Sequence, residues 1–116
     1  MLSPGPAKKV TIHLNEDTIA SHDFLYKEIF RFLYERGVSG ASLIRPAAGF
    51  GSHHQLHMAG DDSVAGEHLP VRIEFVETRE TVDTLLPALC EFITDGLIEA
   101  HDTVIVKSAA GRRRDP

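Results

Sequence analysis

Val71-Arg72-Ile73-Glu74-Phe75 alternates apolar and polar residues, and Val10-Thr11-Ile12-His13-Leu14 repeats the pattern near the start of the chain. Alternation with period two marks a strand with one buried and one open face. Val10, Ile12 and Leu14 point one way; Thr11 and His13 point the other. Each run is followed by a helical stretch, a glycine (Gly37 or Gly96) and a second strand-like run. The chain therefore reads as two β-α-β halves joined by an insert. Right-handed crossovers put both helices on one face of a four-stranded antiparallel sheet. This is an α+β, ferredoxin-like β-α-β-β-α-β sandwich.

Working outward from the two strands, Asn15-Glu16-Asp17-Thr18 breaks the first alternation, and Ser21 is placed to cap a helix. Leu25, Ile29, Phe32 and Leu33 recur at helical spacing, with Phe24, Phe30 and Tyr34 widening the apolar arc. Gly37 is the stop, since glycine takes the left-handed conformation after a last turn. Residues 38–46 read as the second strand, with Ala41, Leu43 and Ile44 as its buried positions. Leu69-Pro70 leads into the strand over residues 71–77. Thr78 caps the second helix, and Glu80 sits near its positive end. Val82, Leu85, Leu86, Leu89 and Ile93 form its stripe, which continues past Pro87, so the proline bends the helix rather than ending it. Gly96 then stops it, residues 97–100 form a turn or short strand, and residues 103–107 form the last strand. The expected organisation is a loose arm over residues 1–8, a domain over 9–107, and a disordered tail over 108–116 that carries Arg112, Arg113 and Arg114. The open face, with Thr11, His13, Arg72 and Glu74, suits solvent or a partner, so periodicity leaves oligomerisation open.

At 116 residues, 42% hydrophobic and 25% charged, the chain has the composition of one soluble globular domain. A net charge of -5 argues against a nucleic-acid binder, which needs a basic face to displace counterions. Cys90 is the single cysteine, which leaves no disulfide or thiolate–metal site and fits a cytoplasmic protein. No apolar run is long enough to insert in a membrane, and the N-terminus lacks the apolar region of a signal peptide.

The insert over residues 49–68 opens with Gly49-Phe50-Gly51-Ser52-His53-His54-Gln55-Leu56-His57 and holds three of the seven histidines in that stretch. At about twenty residues it exceeds the usual hairpin loop. His53, His54 and His57 suit a divalent transition metal, with Asp61, Asp62, Glu67 or His68 to complete the shell; they equally suit a solvated loop that titrates near neutral pH. Asp61, Asp62 and Glu67 lack the apolar surroundings that an acid–base pair needs. Cys90 reads as a core or near-core thiol. His13 and His101 are surface, interface or cleft residues. Arg45 ends a strand just before the insert, where its guanidinium can reach a ligand at the loop base. Glycines around Phe50 leave the backbone room to approach a ligand, and Phe50 can stack on a base or anchor the loop.

Gly37-Val38-Ser39-Gly40-Ala41-Ser42-Leu43 followed by Gly49-Phe50-Gly51 resembles the approach of PII-like signalling proteins to their regulatory loop. Residues 69–76, continuing through Val82-Asp83, are similar to the re-entry strand and second helix of that superfamily. The opening, Val10 to Asp17, looks closer to a bacterial PII-like branch known as a domain of unknown function. The resemblance covers about residues 8–107. It implies a homotrimer with ligand clefts between subunits, an adenine nucleotide as ligand, and a regulated enzyme or membrane transporter as partner. Gly49, Phe50, Gly51 and Gly96 carry over individually. The sequence departs from the pattern in three places. His53 stands where a glutamine is usual, the insert has no tyrosine to be uridylylated, and the turn Thr94 to Asp102 is acidic where basic residues usually meet phosphate.

The expected function is that of a non-enzymatic regulatory protein. It binds a small ligand, an adenine nucleotide, near Arg45, Gly49, Phe50, Gly51, His53 and Gly96, and acts on a partner through the insert. The alternatives are a divalent metal sensor built on His53, His54 and His57, and a structural trimer whose loop only docks a partner.

Overall fold

The computed structural model describes residues 2–50, the backbone of 57–58, and residues 69–111. The elements are β1 (Gly5–Asn15), α1 (Leu25–Glu35), β2 (Ser42–Ile44), β3 (Ala48–Gly49), β4 (His57–Met58), β5 (Pro70–Thr78), α2 (Arg79–Phe92) and β6 (Leu97–Ile105). The main sheet has four strands in the order β2-β5-β1-β6, with every neighbouring pair antiparallel. This is the ferredoxin-like sandwich expected from the two alternating runs. Helix faces close one side of the sheet. Val10, Ile12, Leu14, Val71, Ile73 and Phe75 meet Leu25, Ile29, Leu33, Val82, Leu85 and Leu89 in a single buried cluster. Phe32 and Phe92 join the two helices, their ring centroids 5.1 Å apart.

Several boundaries differ from the sequence reading, each for a local reason. Residues 5–8, expected in a loose arm, belong to β1, because β5 and β6 offer them partners as far as Thr78 and Ile105. Ser21 does not cap α1. Phe24 occupies that position without a side-chain cap, and the Asp23 carboxylate accepts the Phe24 N–H at 2.7 Å. The second strand shrinks to Ser42–Ile44, paired with Arg72–Glu74, between Gly40 and the donor-less Pro46. The two pieces expected at the end of the chain merge into β6, which pairs with β1 from Gly5 through His13.

The two flanking glycines also separate in role. At the end of α1, Gly37 (φ 78°) donates to the Tyr34 carbonyl and Val38 donates to the Leu33 carbonyl, both at 3.1 Å. This is the paired closure of a Schellman turn. A Cβ on Gly37 would meet nothing within 4 Å, so only the backbone conformation resists substitution. Gly37→Ala is accordingly expected to cost about 1 kcal/mol in urea unfolding. Gly96, in contrast, does not end a helix. α2 runs through Pro87, is capped at its start by Thr78 Oγ1 accepting from Thr81 N, and finishes at Phe92. No helix among the described residues is long and apolar enough to cross a membrane.

Candidate functional site

With both helices on one side, the opposite sheet face carries the remaining side chains; Thr11 and Asn15 are buried within it by their strand neighbours, His13 is exposed, and strand register decides which of them meet. His13 in β1 lies across from Arg72 in β5 and, on its other side, from Leu97 in β6. Asn15 lies across from Pro70, and Thr11 from Glu74 and Glu99. A cleft of about 550 Å³ occupies this end of the face. His13, Asn15, Arg72 and Glu99 provide its polar lining; Pro46 and Phe50 line it from one side of the sheet, and Asp95, Gly96 and Leu97 from the other. A mainly apolar hollow with a few converging polar groups is the usual form of a small-molecule site.

The turn before β6 reaches this cleft because Gly96 has no side chain. Its φ is 142°, and a Cβ there would stand 2.3 Å from the His13 carbonyl oxygen. On the other side, β3 and β4 form the root of the excursion, with Ala48 opposite Met58 and Gly49 opposite His57. Gly49 is pressed against Pro70, whose Cγ would be 3.1 Å from an added Cβ. Glu16 ties down both flanks of this root. Its N–H donates to the Leu69 carbonyl at 2.8 Å, and its carboxylate accepts Arg45 Nε at 2.8 Å as well as the Arg45 terminal nitrogen.

Charges on the open face form a lattice. Glu74 accepts from Arg72 Nε at 3.1 Å, and its other oxygen lies 3.6 Å from Lys9 Nζ. One Glu99 oxygen is 3.0 Å from His101 Nε2, and the other is 3.9 Å from His13 Nε2. The hydrogen bond with His101 holds the Glu99 carboxyl below its ordinary value; desolvation opposes this, and the charges of His101 and His13 add to it. A lowered carboxyl contributes stability that is complete above its unfolded value near 4.5 and is lost as the pH falls through the folded one. Glu99→Gln is expected to lower stability slightly at neutral pH and to remove this part of the acid-side fall, so that thermal unfolding of variant and native chain converges as the pH drops below that value.

The sequence-derived candidates separate in space. Phe50 and Gly96 line the same cleft from opposite sides. Gly49 lies at its edge in the β3–β4 ladder. Arg45 is absent from the lining and is engaged by Glu16 instead. Gly51, His53 and His54, the His57 side chain, Asp61, Asp62, Glu67, His68 and Arg112–Arg114 lie outside the described residues. Among the described residues no three His, Cys, Asp or Glu side chains gather as a metal site. His13, Arg72 and Glu99 were missed as a group. Their common signal is the alternation itself, which puts His13 and Arg72 on the open face, but only the register makes them neighbours.

A ferredoxin-like sandwich with a long excursion between its halves has the fold of the PII-like signalling superfamily. The sequence model of DUF190, described as an uncharacterized ACR, matches residues 7–105, and the chain belongs to that family. It is 32% identical over 102 residues to UPF0166 protein MJ1524 of Methanocaldococcus jannaschii, covering 87% of this chain and 93% of that one. Among solved structures it is similar to CPII of Thiomonas intermedia K12, a nitrogen regulatory PII-like protein bound to ADP, AMP and bicarbonate. The TM-score is 0.63 at 20% identity, over 92% of this chain and 100% of that chain. A PII-like signaling protein from Thermus thermophilus also gives a TM-score of 0.63, at 19% identity, over 90% of this chain and 94% of that one.

Proposed function

We propose that this protein is a non-enzymatic regulator that binds an adenine nucleotide in the open-face cleft. As a homotrimer, it passes occupancy of the cleft to a partner protein or transporter through the excursion at residues 49–68. The observation that carries this reading is the cleft's shared lining. Pro46 and Phe50 precede or open the excursion and Pro70 follows it, and all three border one hollow. A ligand there touches both flanks of the root, so it selects among arrangements of the excursion by contacting some better than others. Phe50 offers a ring for a purine to stack on. CPII, with ADP and AMP bound, shares the fold and supports the choice of ligand class.

Calorimetry of metal-free protein with AMP, ADP, ATP and cyclic AMP tests this reading. It predicts saturable heat with at least one of the four. Zinc, copper and nickel, titrated afterwards, test the metal-sensor alternative. No heat with any nucleotide, together with metal binding lost in a His53/His54/His57 triple alanine variant, would transfer the assignment to the metal sensor. Light scattering is expected to give the mass of three chains.

A further inference from the structure

We infer that Glu16 is a positioning residue of the cleft: through Arg45 it fixes the wall that carries Pro46 and Phe50, although neither Glu16 nor Arg45 lines the hollow. The consequence for ligand binding rests on the nucleotide reading above. Glu16 stands where three connections meet. It follows Asn15, the last residue of β1, which borders the cleft and lies across from Pro70. Its N–H extends that ladder by one bond, to the Leu69 carbonyl at 2.8 Å. Its turn is closed by Thr18 N–H, which donates to the Asn15 carbonyl at 3.2 Å. Leu25 N–H, at the start of α1, donates to the Thr18 carbonyl at 2.7 Å. The central strand and a helix therefore place the backbone of Glu16, whatever its side chain does.

Arg45 has less backbone support. β2 ends at Ile44, and Pro46, which follows, has no N–H with which to pair. What holds Arg45 is the Glu16 carboxylate, where one oxygen accepts both Nε, at 2.8 Å, and the terminal nitrogen Nη2. The wall from Pro46 to Phe50 is thus pinned at two points. Glu16 holds the residue before it, and Gly49 rests against Pro70 near its end. Half-exposed ion pairs usually contribute little, because solvent screens them and two long side chains must be ordered. Three features strengthen this one. Two nitrogens of one guanidinium converge on a single carboxylate. The Glu16 side chain is 21% exposed, against 58% for Arg45. The backbone that carries the carboxylate is ordered already, so most of the entropy lost on pairing is that of Arg45.

Amide hydrogen exchange of the full chain without ligand, read over residues 45–50, tests the positioning, and calorimetry with AMP and with ADP tests its consequence. Glu16→Ala and Arg45→Ala, checked for unchanged far-UV dichroism, are each expected to speed exchange over 45–50 about fivefold and to leave β1 and α2 unchanged. The double variant should do no more than either single one, because both changes remove the same interaction. Added salt should raise exchange over 45–50 in the native chain toward the level of the variants, and leave the variants where they are. A side chain that only filled space would show no such response. Affinity for AMP or ADP should follow the same pattern, about fivefold weaker in each single variant and again about fivefold, not about 25-fold, in the double. Unchanged exchange in both single variants overturns the proposal. Additive losses in the double variant also overturn it, and so does a loss of affinity in Arg45→Ala alone, which would mean that Arg45 meets the ligand itself. Exchange that follows the pattern, with no heat from either nucleotide, keeps Glu16 as the anchor of this wall and removes the nucleotide reading. Equal heat and equal affinity in all four chains keep the nucleotide and remove the positioning.

Discussion

Gly96→Ala is expected to cost at least about 2 kcal/mol of folding stability and to disturb the cleft in the same step. The backbone at Gly96 holds a φ of 142°, which side chains of L-residues rarely allow, and the new Cβ would stand 2.3 Å from the His13 carbonyl oxygen. That oxygen cannot yield easily. His13 belongs to the central strand and is paired on one side with Arg72 and on the other with Leu97. The turn must therefore retreat, and Asp95 and Leu97, which line the cleft, must retreat with it. Urea unfolding should show a lowered midpoint with an unchanged slope, and a loss clearly larger than that of Gly37→Ala, where the added Cβ meets only open space. Equal losses at the two glycines would show that the close approach at His13 carries no energetic weight.

Phe50→Ala is expected to weaken adenine nucleotide binding about tenfold or more, because base stacking on an aromatic ring contributes about 1–3 kcal/mol. The same change should leave stability within about 0.5 kcal/mol, as Phe50 is exposed and lies outside the buried cluster. The contrast with Gly96→Ala is useful, since one variant separates binding from stability and the other joins them. Calorimetry on Phe50→Ala decides the matter. Native affinity in the variant would mean that the ring anchors the excursion and does not meet the ligand.

The fold was legible because its signals are local. Alternation at Val10–Leu14 and Val71–Phe75, and the stripes Leu25-Ile29-Phe32-Leu33 and Val82-Leu85-Leu89, are visible in single segments, and their apolar residues are buried as expected. The cleft was legible only in part because its floor is non-local. Nothing near His13 in the chain announces Arg72; the antiparallel register of β1 and β5 brings them together. Glu99 was read as part of an acidic turn, and it stands instead within β6, beside two histidines from different positions on the same face. Arg45 shows a second non-local relation. Closeness in sequence to the insert points to a ligand contact, and the structure adds a partner that the sequence does not announce: Glu16, one residue beyond the end of β1, pairs with its guanidinium. Gly96 reads in the sequence as a helix stop as well as a site residue, whereas α2 ends at Phe92 and the missing side chain lets a turn lie against the central strand. In each case the missing quantity was a distance between segments, which neither periodicity nor composition encodes.

A crystal structure of the full chain grown with AMP tests the assignment of the cleft most directly. The nucleotide is expected in the hollow between Phe50 and Gly96, with its base against the Phe50 ring. A nucleotide bound elsewhere on the molecule, with Phe50 out of contact and the cleft unchanged, would contradict it.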